Sequence, residues 1–349
     1  MTDDDVIALP APDAMHVALI GYGEVGGIFG RALVARGVVS VAAYDNLAGD
    51  AAQFAALRAN AKAAGILLRD SAAAAVANAD VVISAVTASN TRDAVDSAAP
   101  SLRRGAFLLD VNSASPRVKS ECGAVVAQAG GRYVEAAVMT SVPPYGIAVP
   151  MLLGGPHAAA LAPALSSLGF AVEVVAETYG VASAIKMCRS VIIKGMEALV
   201  IESYVTARRY GVEQPVLASL AETFPGMDWE RNGDYFFSRV IRHGKRRAEE
   251  MREAAATVRE AGLEPLMTAA IAERQQWLAD LARAGVFRDA AGEEPWRQVV
   301  ERITRDTPAR AAPMVTAEPA RGAEVDGTSA HASAVRPGDR AGASGSAAR

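Results

Sequence analysis

Residues 16–33, HVALIGYGEVGGIFGRAL, decide the fold of this chain. The apolar run at 16–20 predicts a buried strand, and the segment after Glu24 has the spacing of a helix. Between them Gly21, Gly23 and Gly26 form the pattern G-x-G-x-x-G. This order predicts a pyrophosphate site at the N-terminus of the helix, because free N–H groups and the helix dipole favour an anion there.

The six residues of this turn are predicted to hold a dinucleotide. Gly21 permits a tight turn, Gly23 lets the backbone approach a pyrophosphate, and Gly26 lets the helix pack closely on the strand. The alternative is a plain glycine-rich turn in a chain rich in alanine and glycine, but the flanking strand and helix favour the dinucleotide site. The predicted cofactor contacts here are Gly21, Tyr22, Gly23, Glu24, Val25 and Gly26.

Asp45 ends the next apolar run, VVSVAAYD, 19 residues after Gly26. A carboxylate at this point of a dinucleotide fold accepts hydrogen bonds from the ribose hydroxyls and repels a 2′-phosphate. The sequence therefore predicts NAD in preference to NADP. Arg58 would partly offset the repulsion if the chain folds back, and a plain turn residue is the alternative for Asp45.

Seven short apolar runs between residues 16 and 176 alternate with segments of helical spacing. The runs are mostly continuous, which fits strands that are buried on both faces. They predict an α/β fold of the Rossmann type over residues 15–177, with a doubly wound, mostly parallel sheet. The predicted strands are HVALIG, VVSVAAYD, ADVVISAV, GAFLLDV, RYVEAAV, VPMLLGG and AVEVV.

Small polar residues follow two of these strands, at 84–90 and 110–115. The carboxyl ends of parallel strands form the crevice in which such sheets bind ligands. Val86, Thr87 and Asn112 are therefore predicted to line the nicotinamide side of the cofactor site. Individually, residues of these types also serve as helix N-caps.

The chain changes character after Glu177, where strand-like runs give way to long helical periodicities. Residues 178–305 are predicted to form an all-α domain. Its first helix, of about 30 residues, is apolar nearly all round until Arg208, so we expect it to be buried for most of its length. Residues 1–14 and 306–349 have too little apolar content to order themselves and are predicted to be disordered.

Lys186 lies near the start of this apolar helix, where a solvated lysine is hard to explain. Spacings of three and four place it on one helix face with Ser183, Ser190, Lys194 and Glu197. Burial lowers the pKa of a lysine because it disfavours the charged form, so Lys186 is a candidate proton donor or acceptor near neutral pH. The alternatives are a lysine that reaches the surface or one that pairs with Glu197.

These features resemble the beta-hydroxyacid dehydrogenase superfamily, which includes 3-hydroxyisobutyrate and 6-phosphogluconate dehydrogenases. The resemblance covers about residues 15–285, and the second half is similar to the branch whose C-terminal domain has no assigned function. In the superfamily a glycine-rich lead, a lysine and an asparagine four residues on open the helix between the domains. Gly180 and Lys186 match this motif, whereas Ala182 replaces its second glycine and Ser190 replaces the asparagine.

The resemblance implies hydride transfer between a substrate carbon and the nicotinamide ring, with Lys186 as the catalytic general acid/base on the substrate hydroxyl. Ser190 would hydrogen-bond the substrate with less reach than an asparagine. In the phosphogluconate branch a glutamate seven residues after the lysine assists decarboxylation, and this chain has Ile193 there. Oxidation of phosphogluconate with decarboxylation is therefore disfavoured.

Residues 135–141, EAAVMTS, are similar to the superfamily's substrate loop, typically Asp-Ala-Pro-Val-Ser-Gly-Gly. The serine and both glycines of that loop are absent here. Thr140 and Ser141 are expected to contact the substrate, and together with Met139 they would form a bulkier, more apolar wall. A substrate unlike hydroxyisobutyrate follows from this change.

His243 is a further candidate substrate contact, in the basic segment RVIRHGKRRAEEMREAAATVREAG. In relatives this region supplies side chains over the substrate, in some cases from a partner subunit. His243 or Arg247 would hold an anionic group, although an ordinary solvated helix face is the alternative. The long apolar helix and the resemblance together predict a homodimer.

Composition excludes several other classes of function. The net charge is −4, and the sequence has no basic stripe interleaved with aromatic residues, so nucleic acid is not an expected partner. Cys122 and Cys188 lack the spacing of a metal site and are read as reduced thiols. No signal segment and no apolar run of about 18 residues is found, so we expect no membrane partner and a cytoplasmic location.

Taken together, the residues predict an NAD(P)-dependent dehydrogenase or reductase that acts on CH–OH, with a small hydroxy acid or keto compound as substrate. One alternative is an imine (C=N) reductase on the same fold; imine reductases of the wider superfamily usually lack the lysine that is present here as Lys186. The other alternative is a sensor that binds the dinucleotide without catalysis. The altered loop at 139–141 and Ser190 favour this alternative.

Overall fold

A computed structural model describes residues 9–49, 51–288 and 294–306 of the chain. The segments predicted to be disordered, 1–14 and 306–349, lie outside the described residues except for 9–14 and 306. Residues Pro12–Ala14 form a short 3-10 helix, and Leu9 packs against the hydrophobic core.

An eight-stranded sheet with the order β3-β2-β1-β4-β5-β6-β7-β8 forms the first part of the chain. All neighbouring strands are parallel except β6 and β7. The predicted α/β, mostly parallel fold is confirmed, and the strand that the sequence missed is the two-residue β3. The strands are β1 (His16–Ile20), β2 (Ser40–Tyr44), β3 (Leu67–Leu68), β4 (Val81–Ser84), β5 (Phe107–Asp110), β6 (Arg132–Val138), β7 (Pro150–Gly154) and β8 (Ala171–Ala176).

Helices cover both faces of this sheet, and each face has its own hydrophobic core. One core packs α1 and α6 against the sheet through side chains such as Phe29 and Leu161. The other packs α3, α4 and α5 through side chains such as Val95 and Val126. The helices of this part are α1 (Glu24–Ala35), α2 (Ala51–Ala63), α3 (Ala72–Val76), α4 (Thr91–Ala98), α5 (Pro116–Gln128) and α6 (Ala158–Ser167).

The second part of the chain is helical, as predicted. Tyr204, Phe237 and Trp296 are the largest fully buried side chains of its main core. Helices α7 and α10 both pack against α9. The helices are α7 (Val181–Tyr210), α8 (Glu213–Thr223), α9 (Trp229–Glu260), α10 (Leu266–Ala284) and α11 (Trp296–Asp306). None of the helices in the described residues is both long and apolar enough to cross a bilayer.

Helix α7 has the predicted length of 30 residues, but one stripe of it is exposed in the single chain. The stripe consists of Val181, Ile185, Ile192 and Leu199, and the last two side chains are 66% and 60% exposed. The opposite face is buried against α9 and the sheet. The expectation that α7 is buried for most of its length is therefore wrong for a single chain, because an apolar side chain can lie on an outer face as well as in a core.

Candidate active site

The turn between β1 and α1 has the geometry of a phosphate cradle. Gly21 has a φ of +92°, and a Cβ on it would lie 2.4 Å from the carbonyl oxygen of Ala85. A Cβ on Gly26 would lie 2.1 Å from the carbonyl oxygen of Gly21, so only glycine lets α1 approach the turn this closely. A Cβ on Gly23 would point into open space at the uncapped N-terminus of α1. The residues present therefore fit the pyrophosphate of a dinucleotide.

Asp45 stands at the end of β2 and binds this turn directly. Its carboxylate accepts hydrogen bonds from the backbone N–H of Tyr22, at 2.8 Å, and of Leu47, at 3.0 Å. Each carboxylate oxygen can accept a further bond, which leaves room for ribose hydroxyls. Arg58, a possible counterion for a 2′-phosphate, is instead bonded to Asp70.

Tyr22 contributes its backbone rather than its side chain to this turn. The ring is buried in the core, and the phenol oxygen has no hydrogen-bond partner among the described residues. Burial raises the pKa of the phenol, with Arg31 acting against that rise. A contact between Tyr22 and the cofactor would accordingly be made by the main chain.

A cleft of about 330 Å³ opens beside the turn, where the strand ends meet α7 and α9. It is lined by ten of the predicted site residues, whereas Asp45 and the remaining four residues of the glycine turn lie outside its wall. The predicted residues that line it are Glu24, Val25, Val86, Thr87, Asn112, Thr140, Ser141, Lys186, Ser190 and His243.

Asn112 joins the ends of two neighbouring strands at the floor of the cleft. Its Oδ1 accepts a hydrogen bond from the backbone N–H of Val86 at 2.7 Å, and its Nδ2 donates to the hydroxyl of Ser84 at 2.9 Å. The side-chain polar atoms of Asn112 therefore fix the loop after β4. In contrast, the hydroxyl of Thr87 bonds to Ser89 and Asn90 of its own turn.

Lys186 enters the cleft from the first turns of α7. Its Nζ donates a hydrogen bond to the hydroxyl of Ser113 at 2.6 Å. Burial lowers the pKa of Lys186 to about 8; the charges of Lys194 and Lys119 add to this, while Glu250 opposes it. The side chain is partly exposed, toward the cleft that it lines. Glu197 pairs with Arg247 and Arg239 instead, so the interpretation of Lys186 as a partner of Glu197 is wrong.

The remaining members of the polar face of α7 have separate partners. The hydroxyl of Ser183 donates to the buried carboxylate of Glu135 in β6, at 2.7 Å. Lys194 forms an ion pair with Glu250 of α9, 2.8 Å between Nζ and Oε2. Lys194 also donates a longer bond to Ser190, at 3.3 Å. Polar side chains on one face of α7 thus bond to three different parts of the chain: Ser183 to β6, Lys186 to the segment after β5, and Lys194 to α9. Lys186, Ser190 and Lys194 also line the cleft.

The end of β6 and the loop that follows it form a further wall of the cleft, and this wall is largely apolar. Val138, Met139, Val142 and Pro143 line the cleft together with Thr140 and Ser141. Arg189 ties this wall to α7, because its Nη1 donates to the carbonyl oxygen of Met139 at 3.0 Å. Glu135, which the sequence comparison placed at the start of the substrate loop, lies instead within β6 and faces α7.

His243 lines the cleft from α9 next to several arginines. Burial lowers the pKa of His243, and the charges of Arg246, Arg239 and Arg247 lower it further. Sequence reasoning assigned no role in this cleft to Arg189, Arg239 or Glu250, and it covered Ser113 and Arg246 only as members of longer polar segments. Ser113 lies three residues after the end of β5, within the polar segment 110–115 that the sequence already indicated, whereas the residues of α9 carry no local pattern that separates them from a solvated helix face.

Within the described ranges, no group of three histidine, cysteine, aspartate or glutamate side chains is placed to hold a metal ion. Both cysteines are free thiols, Cys122 buried and Cys188 exposed. Burial, together with nearby Asp110, raises the pKa of Cys122 to about 12. A buried thiol of this kind is unreactive.

Comparison with known families and structures agrees with this geometry. Residues 16–178 match the NAD binding domain of 6-phosphogluconate dehydrogenase, and residues 207–278 match a domain of unknown function, DUF1932. A conserved hypothetical protein from Sinorhizobium meliloti 1021 is 40% identical, with a TM-score of 0.68 over 84% of this chain and 97% of its own.

Two further solved structures are similar. The conserved protein MTH1747, of unknown function and described as structurally similar to 3-hydroxyacid dehydrogenases, is 30% identical with a TM-score of 0.60, covering 77% of this chain and 98% of its own. A 3-hydroxyisobutyrate dehydrogenase of Mycobacterium tuberculosis shares the fold at 18% identity, with a TM-score of 0.59 over 83% of this chain and 99% of its own. The chain belongs to the beta-hydroxyacid dehydrogenase superfamily, in the branch that joins an NAD-binding domain to this C-terminal domain of unknown function.

Proposed function

We propose that this protein is an NAD(P)-dependent dehydrogenase or reductase that acts on a small hydroxy acid or the corresponding keto compound. The observation that carries the proposal is the position of Lys186, whose Nζ bonds to Ser113 in a cleft shared with the glycine turn and the strand ends. A buried lysine with a pKa near 8 exchanges protons readily at physiological pH.

The chain's own residues would perform three tasks. The glycine turn and the N-terminus of α1 would hold the pyrophosphate, and Asn112 would keep the loop after β4 in place beside the nicotinamide. Lys186 would accept the proton of the substrate hydroxyl in oxidation and return it in reduction, while Ser113 holds its Nζ in position. When bound, the dinucleotide supplies the hydride chemistry.

We further propose NAD as the preferred cofactor. Support comes from the buried carboxylate of Asp45 next to the turn, which would repel a 2′-phosphate.

The first experiment is a titration of the purified protein with NADH and NADPH, followed through nicotinamide fluorescence. A panel of hydroxy acids, keto acids and imines is then tested for turnover with the cofactor that binds. We expect tight NADH binding and turnover of one hydroxy acid or keto acid. Turnover restricted to imines would assign the protein to the C=N reductases, and NADH binding without turnover of any compound would favour a sensor.

Lys186→Met separates the catalytic role from a structural one. The methionine fills a similar volume but cannot carry a proton, so we expect turnover to fall by about 10²-fold or more while the affinity for NADH stays within about twofold. Lys245→Met is the matched control, since Lys245 is exposed on α9 and does not line the cleft. An equal loss of NADH affinity and turnover in Lys186→Met would contradict a catalytic role.

A further inference from the structure

Four cations on one side of the cleft share two carboxylates. This basic wall consists of Lys194 from α7 and Arg239, Arg246 and Arg247 from α9, all of which line the cleft. Glu250 pairs with Lys194 at 2.8 Å and with Arg246 at 3.6 Å. Glu197 contacts Arg247 and lies 3.8 Å from the Nε of Arg239.

The basic wall therefore keeps an excess of positive charge, together with donors that the protein leaves unused. Arg247 is only 4% exposed, yet its Nε has no hydrogen-bond partner in the described part of the chain. The Nε of Arg239 is likewise buried without a hydrogen bond, and Gln275 donates a bond to Glu197 that competes with the arginines. Each cation has a carboxylate nearby, but four cations share two carboxylates, so the basic wall retains positive charge that would attract an anion in the cleft.

The rest of the cleft provides little negative charge to balance this excess. Arg189 is bonded to a carbonyl oxygen and Lys186 to a hydroxyl, so neither has a carboxylate partner within the described residues. Glu24, at the N-terminus of α1, is the further acid of the lining. The lowered pKa of His243, caused by burial and then by Arg246, Arg239 and Arg247, agrees with a positive potential on this side of the cleft.

We propose that the substrate carries a second anionic group, a carboxylate or a phosphate, that binds to the basic wall while its hydroxyl-bearing carbon lies at Lys186. Arginines suit this task because the planar guanidinium offers paired donors to two oxygens of one anion. This inference rests on the proposed function and narrows its substrate class to hydroxy acids with two anionic groups.

The test compares pairs of acids that differ only in the second anionic group. The pairs are 2-hydroxyvalerate with 2-hydroxyglutarate, 3-hydroxyvalerate with 3-hydroxyglutarate, and glycerate with 3-phosphoglycerate. Binding to the protein saturated with NADH is measured by calorimetry, which does not require turnover. We expect the dianionic member of at least one pair to bind about tenfold or more tightly than its monoanionic partner, with a preference that weakens at high salt.

Arg246→Gln and Arg252→Gln provide matched variants on the same helix. The two side chains are 51% and 47% exposed, and each lies within 4 Å of one glutamate carboxylate, at 3.6 Å and 3.9 Å respectively, but only Arg246 lines the cleft. We expect Arg246→Gln to reduce the preference for the dianion about tenfold, Arg246→Lys to restore part of it, and Arg252→Gln to leave it unchanged.

Three results would overturn the inference. The first is equal affinity for both members of every pair in the unaltered protein, and the second is an equal effect of the two glutamine variants. The third is a loss of NADH affinity in Arg246→Gln without any change in preference, which would assign the basic wall to the cofactor phosphates. Failure of the proposed function would look different, because the protein would then not bind NADH, would bind it without turning over any compound, or would turn over only imines.

Discussion

Lys186 differs from the other buried lysines of this protein in its partner. Lys119 forms an ion pair with Asp110, 3.0 Å between Nζ and Oδ1, and Lys194 forms one with Glu250. In the described chain Lys186 bonds to a hydroxyl instead, and Glu250, which pairs with Lys194, acts on Lys186 only through its charge. A lysine of this kind can both give and take a proton, whereas an ion-paired lysine keeps its charge.

The pH profile of the reaction follows from this partner. With a pKa of about 8 for Lys186, roughly a tenth of the molecules carry the neutral amine at pH 7. Oxidation needs the neutral amine, so we expect kcat/KM for oxidation to rise through pH 8 and then level off. Reduction needs the ammonium form, so its kcat/KM should fall above pH 8. Steady-state kinetics in both directions test this, and a flat oxidation profile from pH 7 to 9 would contradict it.

Asp45→Asn tests the cofactor preference at the level of one charge. The amide keeps one acceptor oxygen for the turn but removes the charge that would repel a 2′-phosphate. We expect NADH to bind about tenfold more weakly and the ratio of NADPH to NADH affinity to rise. Fluorescence titration measures both affinities, with Asp280→Asn on the outside of α10 as the control. An unchanged ratio would show that Asp45 does not discriminate between the cofactors.

Among single residues, the sequence predicts those whose role shows in the spacing or composition of their immediate neighbours. The glycine spacing identifies the turn, and a lysine within an apolar helix identifies Lys186. Arg239 and Arg246 are brought to the cleft by the packing of α9 against α7, which no local pattern encodes. The sequence also does not predict the bonding partner of each polar residue on α7, because that partner depends on which element packs against each turn of the helix.

At the scale of elements, Glu135 of β6 joins the sheet to α7, the first helix of the helical part of the chain. Its buried carboxylate accepts hydrogen bonds from the backbone N–H of Gly180, at 2.8 Å, and of Ala182, at 3.1 Å. It therefore caps the N-terminus of α7 from a strand rather than from the neighbouring residue. Gly180 enters the helix with a φ of +95°, which favours glycine there.

Glu135→Gln should weaken the hydrogen bonds between β6 and the N-terminus of α7. The amide places an N–H group near backbone N–H donors and loses the charge that favours a helix N-terminus. We expect the free energy of unfolding in urea to fall by about 2 kcal/mol.

Glu121→Gln is the control for this change, since Glu121 forms exposed ion pairs with Arg92 and Arg117. Its expected effect is below about 0.5 kcal/mol. Equal effects of the two variants would mean that the carboxylate of Glu135 does not support α7.

Element by element, the sequence predicts long and strongly patterned segments best. Seven of the eight strands and the full length of α7 follow from apolar runs and helical spacing. The two-residue β3 is too short to leave a pattern. The sequence predicts a mostly parallel sheet but does not identify β6 and β7 as the antiparallel pair, because an apolar strand has the same composition in either direction.

At the scale of the whole molecule, the exposed stripe on α7 supports the predicted homodimer. Ile185, Ile192 and Leu199 recur every seven residues, so they lie along one side of the helix. We expect light scattering to give twice the 36.2 kDa of one chain. A second copy that packs on this stripe would remove the apolar side chains from water.

The double variant Ile192→Glu/Leu199→Glu tests whether the exposed stripe on α7 forms the dimer interface. The charges should convert the dimer to a monomer without loss of helical circular dichroism. Leu263→Glu is the control, because Leu263 is as exposed as Ile192 but lies after α9. A mass of 36.2 kDa for the unaltered protein would exclude the dimer, and a dimer that survives the double change would place its interface elsewhere.

Lys186 and the apolar wall at 138–143 reach the cleft from different elements, the lysine from a 30-residue helix and the wall from a loop. A substitution in the wall can therefore change which molecule fits the cleft without moving Lys186, whose position is set by its helix and by the bond to Ser113. Met139 is the exception, because Arg189 of the same helix bonds to its carbonyl oxygen. If Lys186 transfers the proton as proposed, shape selection and proton transfer in this cleft depend on different parts of the chain.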